Sequence, residues 1–288
     1  MTRASLQKQP RGMSAWSRIA LAGFVTMAGL LASGSLSDVA AQLKTTGHSQ
    51  PVTVEADDGI EWISDKKMYI ARGNAKATRG TTSVTGQTLT ALYRQTKSEE
   101  TEIFRLEAQG RVVIETPDRR AFGDRAVYDL DQALAVVRGK NLRMITSNET
   151  ITASKSLEYW EKRQVAVARG DAVATQGTRM IQADTLTAFF APGRDKKLEA
   201  VRIEAIGNVV VTTLHEVARG NEGVYNVKTG IATLSGNVKV TRGDTQLNGA
   251  TAEVNFNTGI SRLLSARNST STGRVRGLFI PKSKSQTK

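Results

Sequence analysis

Catalysis and metal binding need functional groups in clusters, and this chain of 288 residues offers few. Its two histidines are His48, in a polar lead, and His215, in what reads as a strand. Neither has a second ligand at metal-binding spacing. There is no cysteine, which removes disulfides, thiol nucleophiles and thiolate metal sites together. Asp57-Asp58 and Glu99-Glu100 are paired carboxylates, but both stand in turn-like sequence, where solvated loop residues are expected rather than an acid/base pair. No G-x-S-x-G, H-E-x-x-H, Walker-type or G-x-G-x-x-G pattern occurs. The glycines precede Asn or Asp and an apolar/polar alternation, a context that excludes phosphate-cradling loops leading into helices. Asn148-Glu149-Thr150 and Asn268-Ser269-Thr270 match a glycosylation acceptor, a pattern too common to weigh much. The expectation is a chain that is not an enzyme and has no cofactor and no metal.

The formal net charge is +13, but its location argues against a nucleic-acid partner. Residues 1–41 set Arg3, Lys8, Arg11 and Arg18 against Asp38, and residues 262–288 hold Arg262, Arg267, Arg274, Arg276, Lys282, Lys284 and Lys288 with no acid. The body between them is therefore close to balanced, and the basic end reads as a solvated tail drawn to anionic surfaces.

Residues 1–18 are basic and residues 19–32 (IALAGFVTMAGLLA) are apolar over a run too short for a comfortable membrane span. Val39-Ala40-Ala41 before Gln42 places small residues at a cleavage point. This reads as a secretory signal peptide over 1–41, with an uncleaved inner-membrane anchor as the alternative. Either places the body outside the cytoplasm. A flexible lead over 42–50, a β body over 51–264 and a disordered basic tail over 265–288 complete the expected organisation.

Six copies of one short stretch organise the body, the clearest being LSGNVKVTRGD at 234–244. Gly73, Gly110 and Gly139 recur 97 residues later as Gly170, Gly207 and Gly236, so three small units form a larger unit present twice. Strands of the kind SVTGQTLTALY (83–93) and MIQADTLTAFF (180–190) alternate with these copies, and their small interrupting residue reads as a β-bulge. Residues 155–164 (KSLEYWEKRQ) are the one helix-compatible stretch, although their pattern also favours a strand. The fold class is all-β.

Side-chain parity decides what the repeated glycine is. Phe104, Leu106, Ala108, Gly110, Val112 and Ile114 keep one period of two, as do Val201, Ile203, Ala205, Gly207, Val209 and Val211, and Leu234, Gly236, Val238 and Val240. A hairpin at the glycine would break that parity, so the glycine reads as a missing inward side chain where one long strand bends. The inward apolar face is expected to comprise Phe104, Leu106, Val112, Ile114, Ile181, Leu186, Val201, Ile203, Val209, Val211, Leu234, Val238 and Val240. Many inward positions are Ala, among them Ala75, Ala77, Ala172 and Ala174, which favours a lumen for a flexible apolar ligand over an interlocked core.

Residues 51–93 (PVTVEADDGIEWISDKKMYIARGNAKATRGTTSVTGQTLTALY), residues 233–265 (TLSGNVKVTRGDTQLNGATAEVNFNTGISRLLS) and residues 273–282 (GRVRGLFIPK) resemble the LptA/OstA-like family of periplasmic lipopolysaccharide-transport proteins of Gram-negative bacteria. The resemblance covers nearly all of the mature chain. It implies an open, taco-like antiparallel β-jellyroll whose interior holds lipid A acyl chains. It further implies stacking between an LptC-like inner-membrane partner and an LptD-like outer-membrane translocon, with head-to-tail self-association. Lipid A phosphates would lie at the groove mouth near Arg72, Arg79, Arg105 or Arg202. The body is longer than the shortest members, which implies more rungs. The competing readings are an anchored LptC-like component, a secreted β-helix enzyme acting on polysaccharide, and a purely structural surface protein. The glycine spacings of 37, 29, 31, 37 and 29 are too uneven for a β-helix.

Overall fold

A computed structural model describes residues 52–96, 101–193, 198–255, 257–258, 260–265 and 274–278. Residues 1–41 and 42–50, His48 and Glu99-Glu100 lie outside it. Among the described residues, apart from one turn of 3-10 helix at Glu161–Arg163, the regular structure is all strand, and the strand pairings are antiparallel.

The chain runs as a meander. β1 (Thr53–Glu55) and β2 (Gly59–Ile63) lie end to end against β3 (Met68–Arg79). β4 (Thr82–Gln95), β5 (Thr101–Thr116) and β6 (Arg119–Asp129) follow. At the middle, β7 (Leu134–Arg138) and β8 (Arg143–Thr146) share the edge of β6, and β9 (Thr150–Thr152) and β10 (Ser156–Trp160) return beside them. β11 (Val165–Gln176), β12 (Arg179–Pro192), β13 (Leu198–Thr212), β14 (Val217–Asn226), β15 (Ile231–Arg242) and β16 (Thr245–Asn255) continue the meander. β17 (Ile260–Leu264) and β18 (Arg276–Leu278) share the last edge. Part of the tail read as disordered is therefore a strand, because Arg276, Gly277 and Leu278 pair with Asn248, Leu247 and Gln246.

At five of the six repeated glycines the long strand continues without reversing, with two residues set against one of the partner strand, whereas Gly139 lies in the break between β7 and β8. Gly73, Gly110, Gly170, Gly207 and Gly236 have φ between 77° and 82°, and the residues after them, Asn74, Arg111, Asp171, Asn208 and Asn237, have φ between 41° and 51°. Left-handed backbone suits glycine and, less comfortably, Asn and Asp. The partner strand skips only one residue: Ala172 pairs with Ala183 and Arg169 with Thr185, leaving Gly170 and Asp171 opposite Asp184 alone. The glycine strand keeps its alternation across the bend, with Ala168 and Ala172 both buried, while the partner strand changes phase, with Ala183 and Leu186 both buried.

Two sequence expectations are corrected by this geometry. The glycine is not an inward residue with its side chain missing; it is the left-handed half of a bulge, and its Cβ position faces the neighbouring strand. The small residue of the alternate strands is not itself bulged. Gly86, Gly123, Ala183, Gly220 and Gly249 sit directly opposite the first residue after the bulge, where little room is left for a side chain.

The aligned bends divide the sheet into two wings. The first holds β2, β7, β10, β17 and the halves of the long strands that pair with them; the second holds β1, β8, β9, β18 and the remaining halves. Buried residues of both wings, such as Leu157 and Leu186 on the first and Val112 and Ile151 on the second, form one continuous cluster. Short hairpins close the second wing, with Gly80, Gly177 and Gly243 supplying positive φ at three of them.

Gly170 tests the bend. An alanine Cβ there would lie 2.4 Å from Ser154 Oγ and 3.0 Å from the backbone N of Lys155, at φ +82. Gly170→Ala is expected to cost about 1–3 kcal/mol. Gly177→Ala, at φ +56 with open space around it, should cost about 1 kcal/mol. Urea midpoints of the two variants compare them directly.

Candidate functional site

The bends set the inner faces of the two wings toward each other, and the lining of the space between them follows from register. Beside the bend, the first-wing row runs through Ala108, Ala126, Val137, Leu157, Ala168, Leu186, Ala205 and Leu234, each the cross-strand partner of the next or of an intervening residue. The facing second-wing positions include Val112, Ile114, Met144, Ile151, Ala172, Val209 and Val238, all buried. Alanine dominates the first wing and larger aliphatics the second, so the two faces interlock.

The structure brings together most of the inward residues expected from sequence. Val112, Ile114, Leu186, Ile203, Val209, Leu234 and Val238 are buried, and Leu106, Ile181, Val211 and Val240 pack half-buried against them. Phe104 and Val201 do not belong. Val201 is 37% exposed, and neither residue joins the core cluster. A second register shift explains both: Phe189 pairs with Arg202 but Phe190 with Ala200, and Leu92 pairs with Arg105 but Tyr93 with Ile103. The extra residue in each strand, Val201 or Phe104, breaks the period, and Ala200 is buried in place of Val201.

Between β5 and β13 the interior is filled, with Leu186 at 0% exposure. The expected lumen is thus a closed core there. The interior opens toward the first edge, where Val54, Ile60 and Trp62 continue the inner rows yet stand exposed, Trp62 by 65%. Trp62 stacks on Tyr69 with ring centroids 6.1 Å apart and donates its Nε1–H to the Tyr93 hydroxyl at 2.8 Å.

The margins of the wings farthest from the bend differ in chemistry. On the first wing, Trp62, Tyr69, Tyr128, Tyr159 and Tyr225 fall in a single register row, separated by Ala91, Leu106, Ala135, Ala166, Ala188 and Ile203. Burial pushes the Tyr159 hydroxyl up to about 12, helped by nearby Glu161 and opposed by Arg119. Burial likewise raises Tyr128, which donates to Glu161 Oε2 at 3.1 Å, and Tyr225, where Arg179 opposes the rise. These phenols stay protonated. Arg119 and Arg179 belong to the far margin of the second wing.

On the second wing, every two-residue hairpin is closed by a polar cross-strand pair on the inner side: Arg79 with Thr82, Thr116 with Arg119, Gln176 with Arg179, and Arg242 with Thr245. Sequence reasoning placed Arg79 at the mouth and missed Arg119, Arg179 and Arg242. The available signal was their common position, two residues outside Ala121, Ile181 and Val240 beside a turn. The other three suggested arginines lie on the outer face. There Arg72 pairs with Glu61 at 3.5 Å, Arg105 with Glu107 at 2.8 Å, and Arg202 with Glu204 while lying over the Phe189 ring at 5.3 Å.

His215 lies exposed in the turn between β13 and β14, not in a strand, and its N–H points to Thr213 Oγ1 at 3.4 Å. Asp57 and Asp58 span the corner between β1 and β2, where Asp57 accepts from Asn74 Nδ2 at 2.7 Å. No group of His, Asp and Glu among the described residues is arranged to hold a metal.

Comparison with known proteins bears on this geometry. The model of the family described as LptA/(LptD N-terminal domain) LPS transport protein matches residues 53–159, 150–260 and 219–273. The chain belongs to this family. The second match starts 97 residues after the first, the same offset as the glycines, so the longer body is a duplication of the family unit. As a member of a family of transport proteins, it is not an enzyme. An uncharacterized protein, R00383, of Rhizobium meliloti (strain 1021) is 26% identical over 122 residues, or 40% of this chain, which spans 65% of that relative's length. LptH, the LptA homologous periplasmic component of the lipopolysaccharide transport device of Pseudomonas aeruginosa, is 16% identical with a TM-score of 0.21, over 81% of this chain and 96% of its own.

Leu186→Ala should cost about 2–5 kcal/mol, because no neighbour can collapse into the space it leaves. Val201→Ala should change stability by no more than about 0.5 kcal/mol. Equal losses in thermal or urea denaturation would return Val201 to the core. Glu107 supplies a pH test. Burial raises its pKa, but Arg125, at 2.6 Å, and Arg105 outweigh that and hold it below the ordinary 4.5. A depressed carboxylate stabilises the fold above its unfolded pKa, and that stability is lost as pH falls through the folded value. Glu107→Gln should therefore cost about 1 kcal/mol at neutral pH, with the gap to the parent closing in denaturation curves below pH 4.5.

Proposed function

We propose that this chain is a periplasmic lipopolysaccharide carrier that shields lipid A acyl chains from water between the inner and outer membranes. The observation that carries the reading is the unbroken apolar inner face, which follows register from strand to strand and emerges exposed at Val54, Ile60 and Trp62. Burying acyl chains there is favourable at about 25 cal/mol per Å², and needs neither catalytic groups nor a cofactor.

The closed centre sets the mode of loading. Hydrogen-bonded ladders run across neighbouring strands, so the wings are joined covalently and by ladders only through the bends. Their contact elsewhere is made by side chains, and parting the wings opens a trough lined by alanine on one side. Residues 1–41 direct the chain across the inner membrane. The terminal edges, β1 with β2 and β17 with β18, offer backbone groups for head-to-tail pairing with further copies, and with LptC-like and LptD-like partners.

Photocrosslinking amino acids at Val209 and Val238, both buried on the inner face, should capture lipopolysaccharide in cells, whereas Lys239 on the outer face should not. Labelling confined to Lys239 would sink the proposal.

A further inference from the structure

The hairpin ends of the second wing carry a feature that neither the strand pattern nor the apolar interior requires. Arg79, Arg119, Arg179 and Arg242 all lie on the inner side of the sheet, in cross-strand pairs that close four hairpins. Threonine or glutamine serves as the other member of each pair, so the fold does not need a cation at these positions. The duplication makes the same point. The hairpin at Arg79 and Thr82 recurs 97 residues later as Gln176 and Arg179. At this hairpin each copy has one arginine, on opposite strands, whereas Arg119 recurs as Glu216. The Arg119 side chain is only 11% exposed beside the apolar interior, and it is tied to Asp118 in the adjacent turn. Arg242 pairs with Glu216 at 2.9 Å. Holding the Arg119 guanidinium at the border of an apolar space costs desolvation, which Asp118 offsets in part and an anion arriving there would offset further.

We infer that this arginine row binds the phosphate groups of an amphiphile whose acyl chains lie between the wings. The inference rests on the carrier reading and names its head-group contact. Guanidinium forks match phosphate oxygens, and the row runs along the seam where the apolar interior meets water. Neighbouring strands are about 4.8 Å apart, so the four arginines are spaced about 14–19 Å from one to the next along the mouth. That spacing offers successive contacts to a cargo moving along the seam.

The test titrates the secreted chain by calorimetry with bisphosphorylated lipid A, with enzymatically dephosphorylated lipid A and with inorganic phosphate. The same three ligands are titrated into the variant Arg79→Gln/Arg179→Gln/Arg242→Gln. Arg119 is left in place because it is buried and paired. The native chain should bind the bisphosphorylated form about tenfold or more tightly than the dephosphorylated form. The variant should lose that preference while keeping its affinity for the dephosphorylated form. Inorganic phosphate should neither bind measurably nor compete. Equal binding of the two lipids by the native chain overturns the arginine assignment and leaves the carrier reading standing. Binding of neither lipid overturns both. Competition by inorganic phosphate at comparable concentration assigns the row to free phosphate and overturns the lipid head group. Should the variant fail to fold, the arms on the native chain still decide.

Discussion

The structure depends on a pair of left-handed residues inserted into otherwise extended strands. Two residues of the bulged strand stand against one of its partner, so the bulged strand keeps its alternation and the partner takes up the change of phase. A strand can therefore turn sharply at Gly110-Arg111 or Gly207-Asn208 and keep its apolar side chains on the same face throughout. Because the insertion recurs at corresponding levels of β3, β5, β11, β13 and β15, the bends align into one fold line, and a single sheet becomes two facing wings. The neighbours complete the device. Gly86, Gly123 and Gly249, opposite the residue after the bulge, give up their side chains so that the bend can close.

Burial follows from this one constraint. A central strand has neighbours on both sides and a facing wing, so Leu157, Leu186 and Val137 lose essentially all exposure. A terminal strand has a neighbour on one side only, and the same inward positions at Ile60 and Trp62 remain largely in solvent. The outer face of the first wing is treated differently. There Glu107 accepts from both Arg105 and Arg125, and Glu158 from Arg169, so charges alternate across strands and cover the sheet with polar groups. Charge on the outside is balanced pairwise, and at the hairpin ends of the second wing Arg119 pairs with Asp118 and Arg242 with Glu216.

The parity of Leu106, Ala108, Val112 and Ile114 and the 97-residue offset made the strands, the duplication and most of the inward face legible without coordinates. What stayed hidden was local. The second register shift at Phe104 and Val201 leaves no glycine to mark it, because a one-residue bulge needs no left-handed backbone, and the apolar type of both residues concealed the phase change. The arginine row was hidden for a related reason: an inward-facing cation looks, in sequence, like any charged residue beside a turn. Its side of the sheet is known only by counting back from Ala121, Ile181 or Val240. The closed centre was hidden too, since an alanine-rich face is compatible with a lumen or with an opposite face bulky enough to fill it. Val112, Met144 and Ile151 supply that bulk.

The same pairing of small and large faces bears on how cargo and opening are linked. Separating the wings without a ligand would expose both inner faces to water, at about 25 cal/mol for each Å² of apolar surface. With acyl chains in the gap, that surface is covered again and the cost is largely removed. A ligand shifts a conformational equilibrium by its differential affinity for the two states, and the differential here is the whole of the apolar contact, because closed wings have no room for a chain. Loading and opening are then one event. It begins most easily at the first edge, where Ile60 and Trp62 are already uncovered. From there each successive strand contributes inner surface in the same register, so under the proposed carrier function an acyl chain would displace wing contacts one rung at a time.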